Sequence, residues 1–458
     1  MTYTVAREHS INATVDRGRP SLQEFVRAAL MGTTASVAIL ASLTTPAVAA
    51  CDTATAQGVI LVQCSGTMTG TNVPAVSYSS NVDAFEILSS AKISTTGAGA
   101  FGIYGYGQGP YVLVNSTGSI ITTGDNSSGV SASGLNNIVL AKFDGSISTT
   151  GANAYGIHAN SLSATTGSAG IISQGTVITS GLGAHGLYLT TDADTSSLTP
   201  PTGGIIRVLA ESAIYTRGDG ARGIYADNFR GSQVGAGDVT ITAKGSITTA
   251  GANAEGIFAN NGAAGSITIT NAGKISTTGA YSHGIFANNG LVPGSDGNIA
   301  ISTNGAISTT GQAANGILAL TFGTGSNISV SANGNITTTG ATAAAIYAGA
   351  YDGTVNIGVG SKATLSSRQD GATIIAYGPT VAISNAGVID GTIYVNAAAG
   401  TLTNLAGGTI NSGSDIYLGP FGGVQTSAIV TNSGTISPGG AGSLRTTTLR
   451  TDRKKAES

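Results

Sequence analysis

The sequence predicts an all-β protein, a single-stranded parallel β-helix (β-solenoid) with about three short strands per coil. Three observations predict it. A phrase of fixed internal spacing recurs about ten times along the 458 residues. Within each copy, apolar and hydroxyl residues alternate with period two, the mark of a strand with one buried face. Between copies only the spacer changes, from 27 residues (Gly97 to Gly124) to 37 (Gly181 to Gly218). A fixed core with variable spacers is the pattern of stacked units that carry loops on one face.

The clearest copy reads Gly245-Ser246-Ile247-Thr248-Thr249-Ala250-Gly251-Ala252-Asn253-Ala254-Glu255-Gly256-Ile257-Phe258-Ala259, and the consensus is G-x-I-x-T-x-G-x-x-A-x-G-I-x-A. Its central glycine falls at Gly97, Gly124, Gly151, Gly181, Gly218, Gly251, Gly279, Gly311 and Gly340, with Gln369 in a degenerate copy. The first strand of each unit is Ile247-Thr248-Thr249 and its equivalents. A second, short and apolar, follows the turn, as in Gly284-Ile285-Phe286-Ala287. A third alternates ahead of the next phrase, as in Ser266-Ile267-Thr268-Ile269-Thr270. Each strand pairs with its counterpart one coil away. Roughly 13 coils at about 4.8 Å each make a rod about 60 Å long. The repeated glycines mark corners that need positive φ or a backbone without Cβ. Asn271, Asn304, Asn333, Asn385, Asn404 and Asn432 precede glycines and read as turn residues, which tolerate a left-handed corner and bond their local backbone.

Parity supplies a core. Ile247, Thr249, Ala254, Ile257, Ala259 and their equivalents point inward. The residue between the last two points outward: Tyr104, Ser131, His158, Tyr188, Tyr225, Phe258, Phe286, Leu318 and Tyr347 down the chain. Three readings of this row stand open: an internal stack, if the parity is reversed; an outward stack that steadies its own strands; or a contact surface. Tyr188, Tyr225, Phe258, Phe286 and Tyr347 are the candidate binding residues.

Composition narrows the partners. Only 9% of residues are charged and the net charge is −3, which leaves no basic footprint for nucleic acid. With 41% of residues apolar and 69 glycines, the chain is a folded, turn-rich protein and not a disordered polar tract. Residues 1–50 read as a cleaved secretory signal with a long polar lead. Arg7, Arg17, Arg19 and Arg27 precede an uncharged stretch over 28–43, and Pro46-Ala47-Val48-Ala49-Ala50 supplies small residues for cleavage. That stretch is short for a membrane span, and no other segment crosses a membrane as a helix. In an exported chain, Cys51 and Cys64 are expected to form a disulfide. The rival reading takes Val48-Ala49-Ala50-Cys51 as a lipoprotein cleavage site with Cys51 acylated. Residues 51–90 are then N-terminal capping coils, 91–376 the regular repeats and 377–444 C-terminal coils of a shorter phrase. Residues 445–458 are expected to be a disordered tail. The longest spacer, 190–204, contains Pro200-Pro201 and is expected to protrude as a loop.

The Gly/Asn/Thr-rich coils, the long-lead signal, the early Cys51 and Cys64, and the closing Asn432-Ser433-Gly434-Thr435-Ile436-Ser437-Pro438-Gly439-Gly440 resemble the passenger region of bacterial autotransporters. The resemblance implies a right-handed β-helix at, or released from, the outer membrane of a Gram-negative cell, with adhesion or self-association as its role. No translocator barrel of about a dozen strands fits after the closing phrase. The expectation is therefore a truncated passenger, or one exported and anchored by other means.

No constellation of catalytic residues emerges. The acids do not recur in one register, and Asp219 and Asp370, equivalent but five copies apart, are spaced far beyond the 5–9.5 Å of paired glycosidase carboxyls. Asp219 and Asp227 read as surface ion pairs with Arg217, Arg222 and Arg230. His158, His185 and His283 read as solvated surface residues, too far apart along the rod to share a metal. Neither a cofactor nor a metal is expected. Arg217-Gly218-Asp219 is an integrin-type tripeptide on an exposed corner that the phrase produces by chance. The leading expectation is a non-enzymatic adhesin acting on a glycan, a host or abiotic surface, or copies of itself. The alternatives are a carbohydrate-active β-helix enzyme (lyase or glycosidase) and a passenger remnant without function.

Overall fold

One coil shows how the phrase builds the structure. Strand Ile247–Thr249 forms a first face, Ile257–Asn261 a second and Ile267–Asn271 a third. Each pairs in parallel with the same element one coil on, placing Ile247 opposite Ile275, Ile257 opposite Ile285 and Ile267 opposite Ile299. This computed structural model describes residues 50–437 and 448–450, apart from 57, 136, 164–166, 194–203, 229–236, 263–264, 291–296, 369–370, 413–414 and 421–425. Repetition of the coil gives an all-β, parallel β-solenoid of about 12 turns, with no helix among the described residues. The signal segment and most of the 190–204 spacer lie outside the described residues. The part of that spacer within reach, Thr190 and Thr191, is buried in strand Leu187–Ala193.

The inward parity is as the phrase predicts. Ile247, Ala254, Ile257 and Ala259 are all buried. Full burial of one such isoleucine contributes about 1.5–3 kcal/mol, and in-register stacking repeats that contribution coil by coil. Thr249 also points inward, and its hydroxyl donates to the Ala254 carbonyl at 2.5 Å. The same bond recurs from Thr95, Thr122, Thr149, Thr179, Thr216, Thr277, Thr309 and Thr338 to the residue five positions on. A buried carbonyl at the corner needs a partner, and a hydroxyl one strand-length before the turn supplies it. This is why the phrase carries Thr where a strand interior would accept Val.

The corner decides between the two roles expected of the glycines and corrects the left-handed role expected of the asparagines. Its left-handed residue sits two after the central glycine: Gly99, Asn126, Asn153, Gly183, Gly220, Asn253, Tyr281, Ala313 and Thr342 all have φ between 51° and 70°. The central glycine is needed for a different reason. A Cβ on Gly251 would lie 1.9 Å from the Gly218 carbonyl oxygen of the preceding coil, so close backbone approach excludes any side chain. None of Asn271, Asn304, Asn333, Asn385, Asn404 and Asn432 is left-handed. Their amides bond neighbouring coils and local backbone instead: Asn271 donates to the Gly273 carbonyl at 2.9 Å, and Asn385 donates to Asn404, which donates to Asn432.

The N-terminal end is closed by the antiparallel pairing of Ala50–Ala56 with Val59–Ser65, whose second strand then pairs in parallel with Ala84–Ser89. Cys51 and Cys64 face each other in this hairpin and form a disulfide. A loop this short gives about 3 kcal/mol of stabilisation. With both cysteines in this bond, Cys51 keeps no thiol for the acyl group of the rival reading. Covering the first coil with a polar, exposed strand blunts an edge that would otherwise pair with another chain. At the far end, Thr448–Arg450 is a strand paired in parallel with Asp415–Leu418, with Leu449 opposite Ile416. The tail expectation is corrected there: Thr448-Leu449-Arg450 alternates just enough to continue a ladder, while the rest of 445–458 lies outside the described residues.

Candidate functional site

The row expected to point outward does so. Tyr188, Tyr225, Phe258, Phe286 and Tyr347 are half-buried while the isoleucine or leucine before each and the alanine after most of them are buried. The register holds the row without a slip: His158 opposite Tyr188, Tyr188 opposite Tyr225, then Phe258, Phe286, Leu318 and Tyr347. It also runs past the point where the phrase fades, through Ile375, Tyr394 and Tyr417.

A second outward column flanks the first and was missed as a unit. It is the residue before the last glycine of the phrase: Tyr155, His185, Arg222, Glu255, His283 and Asn315. The two columns interleave. The His185 ring stacks on Tyr155 at 5.4 Å and on Tyr225 at 4.8 Å. Tyr225 stacks on Phe258 at 5.0 Å with an interplanar angle of 11°. The Arg222 guanidinium lies over the Phe258 ring at 4.3 Å and the Tyr225 ring at 5.1 Å, a cation–π contact. The same guanidinium pairs with Glu255 one coil on. Burial pushes the Glu255 carboxyl above its usual range and Arg222 pulls it back. Reading that phrase position down the chain, in place of along it, would have set Arg222 beside Glu255.

The histidine expectation is overturned. His185 and His283 are buried, and their Nδ1 atoms accept the backbone N–H of Arg222 at 3.0 Å and of Asn315 at 2.9 Å. Asn315 repeats the device, its Oδ1 accepting the Ala344 N–H at 2.8 Å. An imidazole that accepts at Nδ1 must be neutral there. Burial accordingly lowers His185 to about 3, helped by Arg222 and His158, and lowers His283 to about 4. Half-buried His158, edge-on to Tyr155 and tilted against Tyr188, is lowered to about 4 by desolvation.

Beside the row runs a polar one. The Tyr225 hydroxyl donates to Asp227 at 2.9 Å, Asn260 donates to the other Asp227 oxygen at 2.9 Å, and Asn288 donates to Asn260 at 3.0 Å. Desolvation, with the Asp227 charge behind it, raises the Tyr225 phenol far above its ordinary value, so it stays a donor. Arg222 therefore pairs with Glu255 and not with the aspartates. Asp219 serves the backbone: its Oδ1 accepts the Ala252 N–H of the next coil at 2.8 Å, as Asp125 does for Ala152. In Arg217-Gly218-Asp219 the two charged residues are exposed, but the aspartate is tied into the ladder. No group of three or more His, Cys, Asp or Glu among the described residues is placed to hold a metal, and no helix among them is long and apolar enough to cross a membrane.

What the wall can do follows from ring orientation. Between Tyr155 and Phe258, neighbouring rings in the two columns lie mostly flat on one another, so their faces are occupied and their edges are presented outward. It offers a strip of rings and amides that runs along the coils. No protein-family model, characterised protein or solved structure matches this chain.

Proposed function

We propose that the chain is an exported, non-enzymatic surface protein of autotransporter-passenger type that mediates adhesion or self-association. The observation that carries this reading is the outward row itself. Mostly aromatic side chains stay in register from His158 to Tyr417, interrupted at Leu318 and Ile375 and half-buried except for the buried Tyr417. Like side chains repeated along a rod make many equivalent weak contacts, and linked weak contacts multiply into strong attachment. The disulfide supports an oxidising destination outside the cytosol. Glycans, host or abiotic surfaces and other copies of the chain are the partners such a strip serves.

The test displays the full chain on cells that do not otherwise clump. Sedimentation and surface attachment are compared between wild type and a variant with Tyr225, Phe258 and Phe286 replaced by Ser. Wild type is expected to clump or attach above the empty control, and the variant to lose that behaviour with its circular dichroism unchanged. No attachment by wild type, or equal attachment by a folded variant, would overturn the reading.

A further inference from the structure

The wall's rings lie mostly flat on one another from Tyr155 to Phe258, and Tyr394 lies flat on Tyr417, but Phe258 meets Phe286 edge-on, Leu318 and Ile375 interrupt the row, and the ring contacts of Tyr377 are tilted. Tyr377 meets Tyr347 at 5.4 Å and 53°, and Tyr394 at 6.3 Å and 64°. Neither neighbour lies flat on it. In its own row the residue opposite Tyr377 one coil earlier is Gly349, which has no side chain to cover the ring. At the same place the corner between second and third faces changes. Strand Ala372–Asn385 runs through it without a break, and Thr392–Asn404 does the same in the next coil. The preceding coil turns at Gly353, just after Tyr351 and Asp352. Tyr351 is left projecting, 79% exposed.

A shallow, open surface cavity of about 370 Å³ lies between these features, lined by Tyr351, Tyr377, Pro379 and Asn396 together with small residues. That volume suits a small ligand. None of its lining residues carries a charge. The Tyr351 hydroxyl makes no hydrogen bond among the described residues, and Tyr377 shares one with Tyr347 that, with burial as the larger cause, raises its phenol well above the ordinary range.

We propose that this cavity binds the neutral sugar ring of a glycan, with its C–H face laid on the Tyr377 and Tyr351 rings and its hydroxyls on the polar rim. The chemistry selects this class. An uncovered aromatic ring in an uncharged recess takes a flat, partly apolar ligand that carries hydroxyls. A carboxylated or phosphorylated ligand finds no cation to neutralise it, and burying an unpaired charge is costly. The inference rests on the adhesive reading and names its ligand class: the rod supplies repetition, and this recess supplies recognition.

The experiment is saturation-transfer NMR on the full exported chain, with methyl hexosides and cellobiose as neutral probes and glucuronate as the charged control. Transfer to the neutral C–H protons is expected, with little to glucuronate. Tyr351→Ala should weaken binding at least tenfold with an unchanged melting temperature, because the residue is exposed. Tyr351→Phe, which keeps the ring, should retain most of it. No transfer from wild type, equal transfer to glucuronate, or undiminished binding by Tyr351→Ala would each overturn the proposal. The cell-attachment assay separates the two readings. Attachment without sugar binding leaves the adhesin standing and removes the recess, and sugar binding without attachment does the reverse.

Discussion

The corner and the wall come from the same phrase, a few residues apart, yet they obey different rules. At the corner the nine clear copies of the phrase use the same parts: a glycine without room for Cβ, a left-handed residue two positions on, and an inward threonine bonded to the turn carbonyl. In the wall the parts differ from coil to coil while the job stays constant. His185, His283 and Asn315 each accept one backbone N–H, and Arg222 and Glu255 use the same column for an ion pair. The corner is fixed by backbone sterics, which admit one solution. The wall is fixed by neighbour contacts, which admit many. Substitution should therefore be punished at the corner and partly interchangeable in the wall.

Acid should strain this contrast most, because the wall's buried, neutral histidines are held well below their ordinary titration range. His185 and His283 fall from about 6.5 when unfolded to about 3 and about 4 when folded. Below pH 6.5 the unfolded chain binds the extra proton, so their stabilisation is complete above that value and is lost as pH falls through 4. The loss is on the order of 3 kcal/mol per histidine, read as denaturant midpoints from pH 7 to pH 4. His283→Asn should remove its share of the pH dependence while keeping neutral-pH stability, since Asn315 already performs that role. An unchanged pH profile would show that His283 is not the titrating group.

The next largest effect belongs to the corner. Gly251→Ala places a methyl group 1.9 Å from a carbonyl oxygen and should cost about 3 kcal/mol or more, measured by urea unfolding. Thr249→Val keeps shape but orphans a buried carbonyl, for about 1–3 kcal/mol. The outward neighbour Thr248→Val, half-buried, should stay within about 0.5 kcal/mol. Equal costs for the two would mean that the inward hydrogen bond is not what selects Thr. In the wall, Phe258→Ser gives up stacking and the Arg222 contact for about 1 kcal/mol, with the fold retained by circular dichroism. The smallest effect is Asp219→Ala, an exposed side chain to backbone bond of about 0.5–1 kcal/mol. A larger loss would mark it as more than a rung of the ladder.

Much of this was legible in the chain. Period-two alternation placed Ile247, Thr249, Ala254 and Ile257 inside and Phe258 outside, because a strand has only two faces and one slip would invert them all. The cysteine pair was readable from the two cysteines standing close together just after a segment that reads as an export signal. The sequence hid what links residues 28 to 37 positions apart. His185 looked like a surface residue because its partner, the Arg222 N–H, lies 37 residues on. Arg222 looked like a partner for Asp219 because they are close in sequence, while Glu255 sits 33 residues away and directly opposite. The row beyond Tyr347 was invisible because the phrase that flagged it fades before Tyr394 and Tyr417.

By itself, then, the sequence determined the strands, their inward faces and their stacking, since spacing within one phrase sets parity and spacing between phrases sets register. Only the tertiary structure decided which glycine lacks room, which residue turns left-handed, which histidines are dry and which tyrosine keeps an open face. Each of those depends on an atom supplied by the adjacent coil, at a distance that a linear reading does not measure.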